Sequence, residues 1–196
     1  MGRMLRWLGL VFLFLLVFAG WAFFDFAQRG LGTRRPPSAL ETFVARRLRL
    51  LAIPAAARRL SNPVPLDEGV LREARAHFAD HCALCHANDG SGQTAIGRAL
   101  YPPAPDMRKE ATQSLTDGEL YYIIRNGIRF TGMPAWVEEE EEEDDDRETW
   151  KLVHFIRHLP DITEEEIAEM ERLNPKSARE WEEEEAIRRF LEGERP

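Results

Sequence analysis

Hydrophobic and polar positions divide the chain into unlike stretches, and each predicts a different kind of element. Trp7 to Phe24 runs 18 positions without a charge. As a helix rising about 1.5 Å per residue that run measures about 27 Å, enough to cross a hydrocarbon core. Trp7 and Trp21 stand near its ends and Arg3 and Arg6 precede it, as in an interfacial anchor. A cleaved export signal has a shorter apolar core that ends in small residues. Gly20 and Ala22 offer a weak version of that site, but Phe23 and Phe24 continue the run. The pattern therefore predicts a retained membrane anchor over residues 1–28 that meets lipid through residues 7–24.

After Gly30, Gly32, Pro36 and Pro37, helical spacing returns from Ala39 to Leu60. Leu40, Phe43, Val44, Leu48 and Leu51 supply the apolar side, Arg46, Arg49, Arg58 and Arg59 the basic one, and Pro54 ends the first piece. This basic linker, residues 29–65, has two readings. It is either an amphipathic helix lying on anionic headgroups, or a spacer whose apolar side packs on the domain or on a partner subunit.

Residues 66–160 read as one compact helical unit. Asp67 or Glu68 starts a helix that carries Val70, Leu71, Ala74, His77 and Phe78. The capping box Thr116-x-x-Glu119 starts a second, closed by Asn126-Gly127, and a third runs from Arg147 to His158 with Trp150, Val153, Phe155 and Ile156. Between the first two lies a loop rich in glycine and proline, Asn88 to Pro105, suited to wrapping something. Two more capping boxes, at Thr163 and Ser177, head short acidic helices in a tail, residues 161–196, that reads as peripheral for want of apolar positions. The fold class is thus all-α, about three main helices with long loops, plus a transmembrane helix and an acidic helical tail.

Charge sharpens the division. Lys and Arg outnumber Asp and Glu by 10 to 2 over residues 1–60, whereas acids lead by 23 to 9 over residues 137–196. Nucleic acid is excluded as a partner, because the acidic half repels phosphate and no aromatic-basic platform accompanies the arginines. Arg29, Arg34 and Arg35 after the span outnumber the two arginines before it, a bias against export of the C-terminal domain. Long domains translocate largely regardless of that count, so the side of the membrane is decided by the domain's chemistry. Glu138 to Asp146 is a run of nine carboxylates, read as solvated, with docking of a basic partner as the functional alternative.

That chemistry is Cys82-Ala83-Leu84-Cys85-His86, the C-x-x-C-H signature of covalent haem attachment. Two thiols about one helical turn apart can add to the two vinyl groups of a haem, and the adjacent imidazole then stands beneath the iron. A thiol-disulfide pair and half of a zinc site are the alternatives. The first expects a strand before it and an α/β fold; the second needs two more ligands, for which His154 and His158 are available. Iron that passes electrons without binding oxygen needs a sixth ligand. Met133, in Gly132-Met133-Pro134 and 47 residues after His86, is the preferred one, with Met107 the rival and Met170 excluded by its place in the tail.

These residues resemble a class I cytochrome c domain of the small, bacterial, membrane-anchored monohaem type, over Leu66 to Leu159. The resemblance implies a first helix with a small residue and an aromatic, here Ala74 and Phe78, crossed by a last helix through Trp150, Val153 and Phe155. The family's usual glycine is replaced by Ala74. It also implies a backbone carbonyl from a proline loop, here Tyr101-Pro102-Pro103, supporting His86. Tyr121, Tyr122 and Trp136 are left to fill the core or reach haem propionates. The implied protein carries one haem c on Cys82 and Cys85, with iron held by His86 and Met133. It faces the periplasm and shuttles electrons between respiratory-chain partners without turning over substrate. Alternatives are a haem subunit of an oxidoreductase complex, a weak peroxidase should Met133 leave the iron, and an anchored thiol-disulfide oxidoreductase.

Overall fold

The computed structural model describes residues 2–29, 32–33, 35–136 and 146–191. It divides the chain into two compact units, Met1–Arg35 and Pro36–Pro196. The first holds one helix, α1 (Gly2–Arg29). Its most apolar window has no buried residue, and its length and composition suffice to cross a membrane. Gly30, Leu31 and Arg34 of the linker, and residues 138–145 of the acidic run, lie outside the described residues.

Every regular element described in the second unit is helical. Ser38 and Glu41 form a capping box that starts α2 (Ala39–Ala52). Asp67 caps α3 (Glu68–His77) by accepting from the Val70 amide, and the helix runs on through a π turn (Phe78–Cys82) into α4 (Ala83–His86). Thr94 caps α5 (Ala95–Ala99), which the short α6 (Glu110–Gln113) follows. The box at Thr116 and Glu119 starts α7 (Asp117–Asn126), and Asp146 caps α8 (Arg147–His158). The tail folds as α9 (Glu164–Glu171) and α10 (Ala178–Leu191).

Apolar spacing decides how these helices pack. Ala74 and Phe78 are fully buried where α3 meets α8, and the Phe78 ring lies 5.0 Å from that of Phe155. Each such ring contributes about 1.5–3 kcal/mol by leaving water. Helix α7 packs on α8 by stacking Tyr121 on Trp150 at 4.1 Å, so Tyr121 fills the core. Arg157 of α8 donates to the carbonyls of Gln113 and Leu115 and to Asp117, which holds the start of α7 against α8.

Two stretches are more deeply involved than the hydropathy pattern suggests. Ile53, Ala57 and Val64, in the stretch read as linker, are buried. There Asn62 donates to the Trp150 carbonyl at 2.8 Å, and Nε2 of His154 lies 2.7 Å from the Val64 carbonyl. The tail is not wholly peripheral either. Met170 of α9 has no exposed surface and joins the core, and Arg75 of α3 pairs with Glu166 and Glu169. Met170, the bridging Arg75 and His158 of α8, which pairs with Glu166, thus dock a helix whose other residues are mostly charged.

Candidate functional site

The C-x-x-C-H motif occupies the end of the continuous helical run that starts at Glu68. Its backbone stops abruptly after the histidine. Ala87 adopts φ 62° and ψ 157°, a region that favours glycine, which reverses the chain so that the Gly92 amide reaches the His86 carbonyl at 2.8 Å. Thr94 donates from its hydroxyl to the Cys85 carbonyl at 3.2 Å. Helix α5 then lies so close that a Cβ on Gly97 would stand 2.2 Å from that same carbonyl oxygen. The Gly/Pro-rich loop therefore satisfies the Cys85 and His86 carbonyls at the end of α4.

Burial sets the protonation of the motif. His86 is pushed down to about 4 by burial, so its imidazole is neutral near pH 7 with a lone pair available to a metal. Its Nδ1 is buried and has no hydrogen-bond partner in the structure. The carbonyl support implied for it by Tyr101-Pro102-Pro103 is not formed. These three residues are exposed instead, and the Tyr101 hydroxyl donates to Glu41 of α2 at 3.1 Å. Cys82 is pushed up to about 12 by burial and by Cys85. A thiol held neutral in this way is the reverse of the depressed thiol of a disulfide-exchange centre. Nor do the described residues offer any cluster of three His, Cys, Asp or Glu that would hold a metal, as the zinc alternative requires.

Met133 sits on the loop after α7. Gly127 ends that helix at φ 64°, and a Cβ there would meet Pro134 and the Met133 carbonyl at 2.5–2.7 Å. The loop closes on itself through the Ile128 amide to the Met133 carbonyl at 3.1 Å and the Met133 amide to the Thr131 hydroxyl at 3.1 Å. Two contacts tie it to the segments flanking the motif. A Cβ on Gly132 would stand 2.5 Å from the Leu100 side chain, just after α5, and the Trp136 ring meets His81 edge-on at 5.8 Å. Met133 itself is half-buried, whereas Met107 and Met170 are committed to the core. His77 and His81 lie side by side on α3 and the π turn, with ring centroids 4.9 Å apart. His158 is taken up by Glu166.

The residues present fit a haem. The residues that could serve as donors are two thiols and a neutral imidazole on the helix end and a thioether on the loop tied to it. The segments around the motif also present apolar side chains to solvent: Leu84 is 58% exposed, Phe130 is 93% exposed, and Ile96 and Trp136 are exposed as well. A flat apolar ring is the kind of group such side chains would cover. Sequence reasoning missed the part played by Leu100, Gly97 and His81 in holding the site's two sides together. Only the glycines carried a signal, as residues permitting close backbone approach.

Residues 69–156, somewhat under half of the chain, match the family model described as cytochrome c oxidase, cbb3-type, subunit III. No curated protein matches the chain.

Proposed function

We propose, from the match of residues 69–156 to that family, that these residues form a c-type cytochrome domain suited to haem-based electron transfer and that the chain is a membrane-anchored carrier of one covalent haem c. The observation that carries this reading is the convergence of the C-x-x-C-H helix end and the Met133 loop through Leu100 and His81. Cys82 and Cys85 would hold the haem covalently, each thiol adding its S–H across one vinyl group to give a thioether, a step that needs no oxidant. His86, with its neutral imidazole, and Met133, with its thioether, are the residues that would hold the iron. Haem supplies a one-electron couple, and a thioether ligand favours its ferrous form and so a raised potential. Leu84, Ile96, Phe130 and Trp136, exposed around the motif, would cover the bound haem and shield it from water. Helix α1 holds the domain at the outer face of the cytoplasmic membrane, the periplasmic side where such haem attachment takes place, and confines the carrier to partners in the same membrane.

Met133→Ala is the decisive variant. It should retain covalent haem on a denaturing gel, pass from low to high spin in its visible and EPR spectra, and lower its midpoint potential. Met107→Leu should change none of these. An unaltered Met133→Ala spectrum would remove Met133 from the iron. A second reading, a haem subunit held in an oxidase complex, is favoured by the description of the matching family. Haem-stained native gels of solubilised membranes separate the two, since a free carrier migrates apart from the terminal oxidase and a subunit migrates with it.

A further inference from the structure

Helix α2 is amphipathic in the direction opposite to that of a helix packed on a core. The side facing the domain is its more polar one, with Thr42, Arg49 and Leu50 half-buried and Ile53 buried just beyond its end. The opposite side carries Leu40 (71% exposed), Phe43, Val44, Leu48 and Leu51 (78% exposed). Successive residues turn by about 100°, so these five share one broad face with Arg47 in its middle. Arg47 lies over the Phe43 ring, its guanidinium carbon 5.2 Å from the centroid, and Arg46 flanks the face and is exposed. Five large apolar side chains aligned on one helix face are not what a surface left in water presents.

The chain itself limits what can cover this face. Only residues 30–38 separate α1 from α2, a reach of at most about 30 Å at ~3.3 Å per residue. Residues 29–60 hold eight arginines and a single acid, Glu41. A second copy would set this basic helix against its like, whereas anionic headgroups complement it. Helix α2 is coupled to the site: Leu50 on its inner side packs on the core, and Glu41 in its first turn accepts from Tyr101 beside the Leu100 contact.

We propose that α2 lies in the membrane–water interface, with Leu40, Phe43, Val44, Leu48 and Leu51 among the acyl chains of an anionic leaflet and Arg46 and Arg47 at its headgroups. The helix then fixes how the face bearing the C-x-x-C-H motif is presented above the bilayer, so the carrier is oriented as well as tethered. The inference rests on the membrane-anchored reading, and its test separates the two. Full-length, haem-loaded protein is placed one copy per nanodisc of phosphatidylcholine and phosphatidylglycerol. Single cysteines are introduced by Leu48→Cys, Leu51→Cys, Ala45→Cys on the flank of α2, and Leu13→Cys in the span. Each is challenged with a membrane-impermeant maleimide, after its visible spectrum has been matched to the parent's.

The Leu48→Cys and Leu51→Cys sites should react about tenfold more slowly than the Ala45→Cys site, and Arg46→Glu with Arg47→Glu should abolish that difference. Equal rates at the three sites overturn the proposal. So does protection that is indifferent to the charge reversal, or protection that appears only with two copies per disc. A protected Leu13→Cys site beside open α2 sites leaves the anchor standing and removes the interfacial helix. A reactive Leu13→Cys site removes the anchor, and the interfacial helix with it.

Discussion

Gly97 is the position at which a single methyl group tests the architecture of the site. Its ideal Cβ falls 2.2 Å from the Cys85 carbonyl oxygen and 2.7 Å from that of Gly92. Both are backbone atoms, so no side chain can swing aside, and ordinary contact at about 3.4 Å requires α5 to retreat from α4 by about 1 Å. That movement breaks the Thr94 hydroxyl bond to Cys85, now 3.2 Å, and disturbs the cap it makes to the Gly97 amide at 2.8 Å. Overpacking of this kind costs about 1–3 kcal/mol and a lost hydrogen bond about 1 kcal/mol. Gly97→Ala should therefore destabilise the protein by about 2–4 kcal/mol and lower its Tm by on the order of 10 °C. Thermal unfolding of the haem-loaded full-length protein, followed by tryptophan fluorescence and the Soret band, measures this. Gly69→Ala is the control, because its Cβ meets only the Asp67 carboxylate at 3.1 Å, the end of a side chain that can shift. A Gly97→Ala midpoint within about 2 °C of the parent would show that α5 does not bear on the motif as described.

The remaining predictions concern the surroundings of the site. Ala87→Gly should stabilise by about 1 kcal/mol, since φ 62° and ψ 157° cost an alanine about 1–3 kcal/mol and glycine returns only part of that as entropy; a lower urea midpoint would count against the strained turn. Met170→Ala, emptying a fully buried position, should cost about 2–4 kcal/mol and expose α9 to limited proteolysis; an unchanged digest would mean that α9 is not docked. Asp106 is pulled down to about 2, mainly by its hydrogen bond with Arg108, which also reaches Asp89 at 3.0 Å. A carboxyl depressed from 3.8 stabilises fully above about pH 4 and loses that contribution as pH falls through about 2. Asp106→Asn should therefore lower stability by about 0.5–1 kcal/mol at neutral pH, and the gap should close in acid denaturation below pH ~3.

Elements whose signals are local were legible from the chain. Caps at Asp67, Thr116 and Thr163 place helix starts because each hydroxyl or carboxylate satisfies an amide two or three residues away. The five-residue motif is likewise complete in itself. Features that the pattern left out depend on partners far along the chain. Tyr121, for which two roles stood open, is settled as core by Trp150 of α8. Asp146, read as the last member of a solvated acidic run, is buried, caps α8 and pairs with Arg125 at 3.2 Å. A run of like residues carries no mark of which one faces inward, because the choice is made by a cation on another helix.

The same reasoning explains why the two sides of the site differ in legibility. His86 is placed by the helix that contains both cysteines, so its spacing alone announces it. Met133 is placed by Gly127, Gly132 and Trp136, each acting through a neighbour that sequence distance conceals. Loss of any of these contacts leaves the motif intact and frees the loop. Damage to the Met133 side should therefore show first in spin state and potential, and damage to the helix side first in how much haem the chain retains. Under the proposed function electron transfer would need both sides, but only the helix side is written in consecutive residues.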